Sequence, residues 1–165
     1  MVGASEPSAE LFAAAEEVGH RLAAAGATVV CGGLGGVMEA ACRGAKEAGG
    51  LTVGILPGAD PRAANPFVDV VVPTGLGEAR NALVARTGRA MIAVGGGYGT
   101  LAEVAIALRA GTAVVGLETW ELARAGRAVQ AILPARSADE AVAIALAHAR
   151  DDGSAAGVSP AGESG

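Results

Sequence analysis

The stretch RAMIAVGGGYGTLAEVAIALRA, Arg89 to Ala110, passes from an apolar run of strand length, through four glycines in five positions, into a segment of helical period. RAMIAVG (89–95) stays apolar instead of alternating, the pattern of a strand buried on both faces. The same form recurs in GATVVC (26–31), LTVGIL (51–56), VDVVVP (68–73) and TAVVGL (112–117). Helical segments lie between these runs. Ser8 to Ala25 sets Leu11, Ala15, Val18 and Leu22 on one stripe and stops at Gly26. Val37–Ala48, Leu76–Thr87, Thr100–Ala110 and Ser137–Arg150 follow in the same way. Strand and helix in repeated alternation predict an α/β protein whose mostly parallel, doubly wound sheet carries helices on both faces.

The expected organisation is one Rossmann-like domain over residues 1–150 and a disordered C-terminal tail over 151–165, where DDGSAAGVSPAGESG has little to bury. The opening MVGASEPS reads as the end of a strand running into a glycine turn, so a first strand truncated at the assigned start is expected. PGADPRAANP (57–66) is a long Pro-rich loop at a strand's carboxyl end, as consistent with an ordinary surface excursion as with a functional loop.

Of the 165 residues 52% are hydrophobic, mostly Ala, Val, Leu and Ile, and 2% are aromatic. Glycine or a charge interrupts every apolar run before the roughly 18–20 residues a membrane helix needs. No basic segment precedes an apolar one at the start, so the expected compartment is the cytoplasm and no membrane partner is expected. The net charge is −5 and no window clusters Lys or Arg, which argues against a nucleic-acid surface but not against a locally held small anion. Cys31, Cys42, His20 and His148 lack the paired spacings of a zinc site, so no metal is expected and the cysteines read as buried free thiols.

Ligands of open α/β sheets bind outside the carboxyl ends of the strands. Three glycine turns fall at such ends: Gly3-Ala4-Ser5, CGGLGGVME (31–39) with Gly32 and Gly33, and GGGYGT (95–100). Glycines let consecutive N–H groups converge on one anion, and the following helix adds its positive end, so a phosphate is the natural guest. The alternative is a set of tight turns without a ligand. Neither long turn fits the ATP-binding G-x-x-x-x-G-K-[ST] loop or the dinucleotide G-x-G-x-x-G fingerprint. Thr100 and Glu103 have capping-box spacing, with Thr100 at the N-cap, while Glu103 beside a ligand would serve as general acid or base. Arg80, in GEARNAL, would hold a phosphate or sugar, pair with Glu103, or stay a solvated charge.

VVCGGLGGVMEAACRGAKEAGG, then VGILPG, then EARNALV, then GGGYGTLAE resembles the superfamily of lonely-guy (LOG) phosphoribohydrolases and molybdenum cofactor carrier proteins, over about residues 3 to 150. The resemblance implies that Gly96, Gly97, Gly99 and Thr100 form the phosphate loop; with Gly95, Tyr98 and Asn81 beside them, and Gly3, Ser5, Gly32 and Gly33 of the other glycine turns, they are the expected ligand-binding residues. It implies that the hydrolases' arginine and glutamate fall on Arg80 and Glu103. Two departures, Gly95 where the hydrolases carry proline and Asn81 where they carry lysine, favour the carrier branch. The implied function is binding of a phosphorylated nucleotide-like or molybdopterin-like molecule. The alternative is a LOG-type hydrolase that cleaves the N-glycosidic bond of a nucleoside 5′-monophosphate. No cofactor is required; a nucleotide or the molybdenum cofactor would be the bound ligand, and a homodimer or homotetramer is implied. Tyr98 is the one aromatic placed to stack on a ring, with a mere rim position the equal alternative, and Arg62 in the Pro-rich loop would add a weak positive contribution. The lysine decarboxylase label that some relatives carry does not suit this chain. Pyridoxal chemistry needs a Schiff-base lysine, and the only lysine, Lys46, ends the second helix.

Overall fold

The computed structural model describes residues 1–151. The strands are β1 (Val2–Gly3), β2 (Val29–Cys31), β3 (Thr52–Leu56), β4 (Val70–Pro73), β5 (Ala90–Val94), β6 (Ala113–Leu117), β7 (Leu122–Arg124), β8 (Arg127–Val129) and β9 (Ile132–Ala135). The helices are α1 (Ala9–Ala24), α2 (Val37–Glu47), α3 (Asn81–Thr87), α4 (Tyr98–Arg109) and α5 (Ala138–Asp151), with 3₁₀ turns at Pro61–Ala63 and Gly77–Arg80. Beyond Asp151 the expected tail lies outside the described residues.

β5 shows why its sequence does not alternate. Ile92 and Val94 face a cluster built with Val115, Leu117, Ala15, Val18, Val37 and residues of α5. Met91 and Ala93 face the opposite cluster, with Val84 and Ala85 of α3 and Val104 and Ala107 of α4. Both faces are therefore covered by helices, the Rossmann-like α/β arrangement that the pattern predicts. The strands pair in parallel as β1-β5-β6-β9 and β2-β3-β4. At the seam the Met1 amino group donates to Val30 O at 2.8 Å. β1 thus sits where the chain passes by α1 to β2 on one side and pairs with β5 on the other, the switch point at which such folds open a crevice.

With so few aromatics, the core closes by bringing backbones together. A side chain at Gly19 would strike the Ala41 carbonyl of α2, and one at Gly44 would strike the Glu16 carbonyl of α1. Glycine at both positions lets α1 and α2 touch main chain to main chain.

Several expectations need correction. VDVVVP is not buried on both faces: β4 is an edge strand, and Val70 and Val72 are exposed. The segment 76–87 is split into a 3₁₀ turn and α3. An antiparallel hairpin, β7–β8, and a further parallel strand, β9, occupy a region where no strand is expected. β9 contains Pro134, which an edge strand tolerates because its outer side needs no N–H donor. The Pro-rich loop is anchored to the second glycine turn, since Asn65 N–H donates to Gly33 O and Asn65 Nδ2 to Leu34 O. Arg62 pairs with Asp60 in the open.

Candidate functional site

The three glycine turns follow β1, β2 and β5 and are laced to one another. Ala4 N–H donates to Val94 O (3.2 Å), and Val37 N–H, at the start of α2, donates to Ala4 O (3.0 Å). The Thr100 hydroxyl donates to Gly3 O (3.1 Å). Gly3 and Gly36 leave no room for side chains: a Cβ at Gly3 would collide with Val94 O and Val37, and one at Gly36 with the Ala4 and Ser5 carbonyls. Ser5 itself is exposed at the rim.

The third turn starts α4 earlier than the capping-box spacing suggests. Gly97 is the N-cap, without a side-chain cap, so Thr100 lies inside the first turn and Glu103 in the next. The capping box is absent, because the Thr100 hydroxyl is turned to Gly3 O instead. The first backbone bond of α4 runs from Leu101 N–H to Gly97 O (3.0 Å). The N–H groups of Tyr98, Gly99 and Thr100 therefore have no intrahelical acceptor, and they carry the positive end of the helix dipole. Gly97 and Gly99 are exposed and a Cβ at either would meet nothing, so backbone is open to an incoming anion. Gly96 is different, with φ 112 and Thr100 pressed against the place of a Cβ.

Not every expected glycine offers a donor. Gly95 N–H is given to Leu117 O, and Gly33 N–H points at Cys31 Sγ (3.3 Å). Gly33 holds φ 74 against the Gly54 backbone and Leu56, so its part is to shape the turn. Gly32 is buried under the Arg80 guanidinium, which fills the place a side chain would take.

Arg80 is the most telling side chain here. It is 7% exposed, and its Nε and Nη1 are buried with no hydrogen-bond partner. Buried guanidinium groups are normally paired. No ion pair joins Arg80 to Glu103 among the described residues, although the two feel each other's charge. Glu103 is 9% exposed. Its carboxyl is raised above the usual carboxylate range by burial, with Arg80 and the Met1 ammonium opposing the shift. Asn81 follows Arg80, half-buried at the first position of α3.

Cys31 and Cys42 are free and buried, with their sulfurs 3.5 Å apart. The Cys42 thiol, and then the Gly33 N–H, lower Cys31 to about 7, while the same contact and burial push Cys42 up. Lys46 pairs with Asp69 at 2.6 Å. No helix among the described residues is long and apolar enough to cross a membrane.

Sequence reading misses one side of the site. Trp120, in the loop after β6, donates its indole N–H to Gly97 O (3.2 Å) and stacks obliquely on Tyr98, with ring centroids 5.6 Å apart. Thr119 donates to Gly95 O from the same loop. Beside them a pocket of about 320 Å³ opens at the carboxyl ends of β6 and β9, next to the β7–β8 hairpin. A second cavity, of about 290 Å³, lies far from the glycine turns, between β2 and β5 toward their amino ends. Trp120 carries no motif, and its place follows only from the unforeseen hairpin that shapes its loop.

The model of the SLOG cluster4 family matches residues 1–150. A structure of the molybdenum cofactor binding protein from Rippkaea orientalis is similar, with 32% identity, 88% of this chain and 94% of that chain covered, and a TM-score of 0.80. The Moco carrier protein of Chlamydomonas reinhardtii is similar at 35% identity, with 91% and 97% covered and a TM-score of 0.78. An uncharacterized protein of Archaeoglobus fulgidus is 45% identical over 118 residues, 72% of this chain and 78% of that one.

Proposed function

This chain belongs to the SLOG cluster4 family, and on that premise we propose that it is a carrier-type protein that holds a phosphorylated small molecule, the molybdenum cofactor or a nucleotide, at the three glycine turns. The observation that carries the reading is Arg80. A buried guanidinium with two unpartnered nitrogens beside Gly32 supports a missing anionic partner. Around it, the phosphate would take the free N–H groups that open α4, and the Thr100–Gly3 bond keeps that helix end fixed on β1. The likeness to a cofactor binding protein and a Moco carrier protein supports the molybdenum cofactor as cargo. Gel filtration of protein incubated with the cofactor, followed by oxidation and pterin fluorescence, tests this. Wild-type protein should retain the pterin and Arg80→Ala should not. Equal retention by both removes Arg80 from the site.

A second reading has one observation in its favour. Glu103 is a buried carboxyl held toward its protonated form within reach of the Arg80 charge, a setting for proton handling. In a phosphoribohydrolase it would assist departure of the base while Arg80 fixed the phosphate or sugar. Chromatography of nucleoside 5′-monophosphates incubated with wild-type protein and Glu103→Gln separates the two readings. Base released only by the wild type would make the protein an enzyme, and no release from folded, ligand-binding protein leaves the carrier reading.

A further inference from the structure

We propose that Trp120 and Tyr98 form a platform on which the ring system of the ligand lies, and that the pocket beside the β7–β8 hairpin receives the ring's N–H edge. This rests on the phosphate reading above and adds to it the end of the ligand remote from the phosphate.

Tyr98 is 83% exposed, on the first residue of α4, in a protein with only four aromatic side chains. Its neighbour in space is the only tryptophan, and the two meet from different elements at the mouth of the glycine loop. The indole is fixed there by its bond to Gly97 O, the very residue that caps α4. A phosphate on the α4 N–H groups therefore places whatever follows it beside an anchored aromatic face. Aromatic faces hold planar heterocycles by stacking, whatever the base.

The pocket supplies the selectivity. It is lined by Gly116, Glu118, Trp120, Glu121, Gln130 and Ile132 among others, and no Lys or Arg lines it. At about 320 Å³ it is at the small end of ligand pockets, sized for a ring and not for a whole nucleotide. Its carboxylates repel a phosphate and accept N–H donors, whereas Arg80 and the α4 terminus do the reverse. This charge separation orients the ligand, phosphate toward the glycine turns and ring toward the hairpin. A ring that suits two carboxylates lining one pocket presents adjacent N–H donors, the 2-amino-4-oxopyrimidine edge shared by guanine and pterin.

Trp120 is the single tryptophan, so its emission reports on the platform directly. The probes are GMP, IMP (which lacks the 2-amino group), a phosphorylated hydroxymethylpterin and ribose 5-phosphate. GMP or the pterin phosphate should change Trp120 emission and bind at least about tenfold tighter than ribose 5-phosphate. Whichever of the two binds tighter identifies the source of the ring. IMP should bind more weakly than GMP, and the double change Glu118→Gln with Glu121→Gln should erase that preference. Trp120→Ala should bring GMP and the pterin phosphate down to the affinity that ribose 5-phosphate has for the same variant, while Trp120→Phe, which keeps a ring but loses the bond to Gly97, should retain most of the ring's advantage. Ribose 5-phosphate binding as tightly as both ringed probes, or Trp120→Phe failing as fully as Trp120→Ala, overturns the platform and leaves the phosphate site standing. Failure of all four probes to bind overturns the phosphate reading and the platform with it.

Discussion

Arg80 can be tested without reference to chemistry. In the free protein its guanidinium is buried and two of its nitrogens lack partners, so removing it takes away an uncompensated charge. Arg80→Ala should therefore fold with a melting temperature no lower than wild type, yet lose about tenfold or more in affinity for ribose 5-phosphate by calorimetry, the worth of charge-assisted hydrogen bonds. A melting temperature well below wild type would mean that Arg80 holds the fold together instead. Neighbouring glycines of the loop divide in the same way. Gly97 is exposed with open space where a side chain would stand, so Gly97→Val should fold and fail to bind phosphate. Gly96 sits at φ 112 against Thr100, so Gly96→Ala should lower the melting temperature itself. Glu103 carries a pH signature. Its folded-state pKa is raised, chiefly by burial, so the native state prefers the protonated form; the group's contribution to stability is greatest below the unfolded carboxyl pKa and is lost as pH rises through the folded value. Glu103→Gln should therefore melt higher than wild type at neutral pH, and the gap should close as pH falls toward 4. A gap that widens on acidification would contradict the burial argument.

At the scale of elements, the β7–β8 hairpin turns through Ala125 and Gly126, both with positive φ (51 and 76). Such two-residue turns favour Asn-Gly, and alanine pays a steric penalty in the left-handed region. Ala125→Asn should stabilise the hairpin by about 0.5–1 kcal/mol, read from hydrogen exchange of the β7 and β8 amides. Unchanged protection would mean that the hairpin opens independently of its turn. This same hairpin marks where sequence reading stops short. Residues 118–131 are short in apolar periodicity, and the β9 run ILPA is four residues long with a proline inside. Parallel pairing to β6, not local propensity, makes it a strand. The inner strands were legible because helices cover both sheet faces, which forces continuous Val and Ile runs, and β4 misled because an edge strand here keeps the same composition. At the site, glycines and Arg80 are legible as a pattern, but Trp120 reaches Gly97 only through a loop whose path depends on elements the sequence does not announce. The start of α4, at Tyr98 and not at Thr100, escapes the capping pattern for a related reason. Thr100 has capping chemistry, yet a long-range acceptor, Gly3 O, competes for its hydroxyl.

Across the whole molecule, a protein of net charge −5 is expected to repel anions at long range, so binding of one must depend on a locally arranged positive site. In the proposed reading the switch point would supply it, by stacking three glycine turns, one helix end and one buried guanidinium at the carboxyl ends of β1, β2 and β5. These parts come from segments far apart in the chain, joined by bonds such as Thr100–Gly3 and Val37–Ala4. A ligand that bridges them should therefore stabilise the entire fold and not one loop. At a hundred times its dissociation constant, a ligand that binds only the native state adds about 2.7 kcal/mol. For a chain of this size that corresponds to a rise in melting temperature of roughly 5–10 °C. Scanning calorimetry with GMP or ribose 5-phosphate at that concentration should show that rise as a single transition in wild type and at most about half of it in Arg80→Ala, since a tenfold weaker ligand adds only about 1.4 kcal/mol. If the ligand instead splits the transition in two, the segments around the switch point do not unfold together, and the site would belong to one loop instead of to the junction of the sheet.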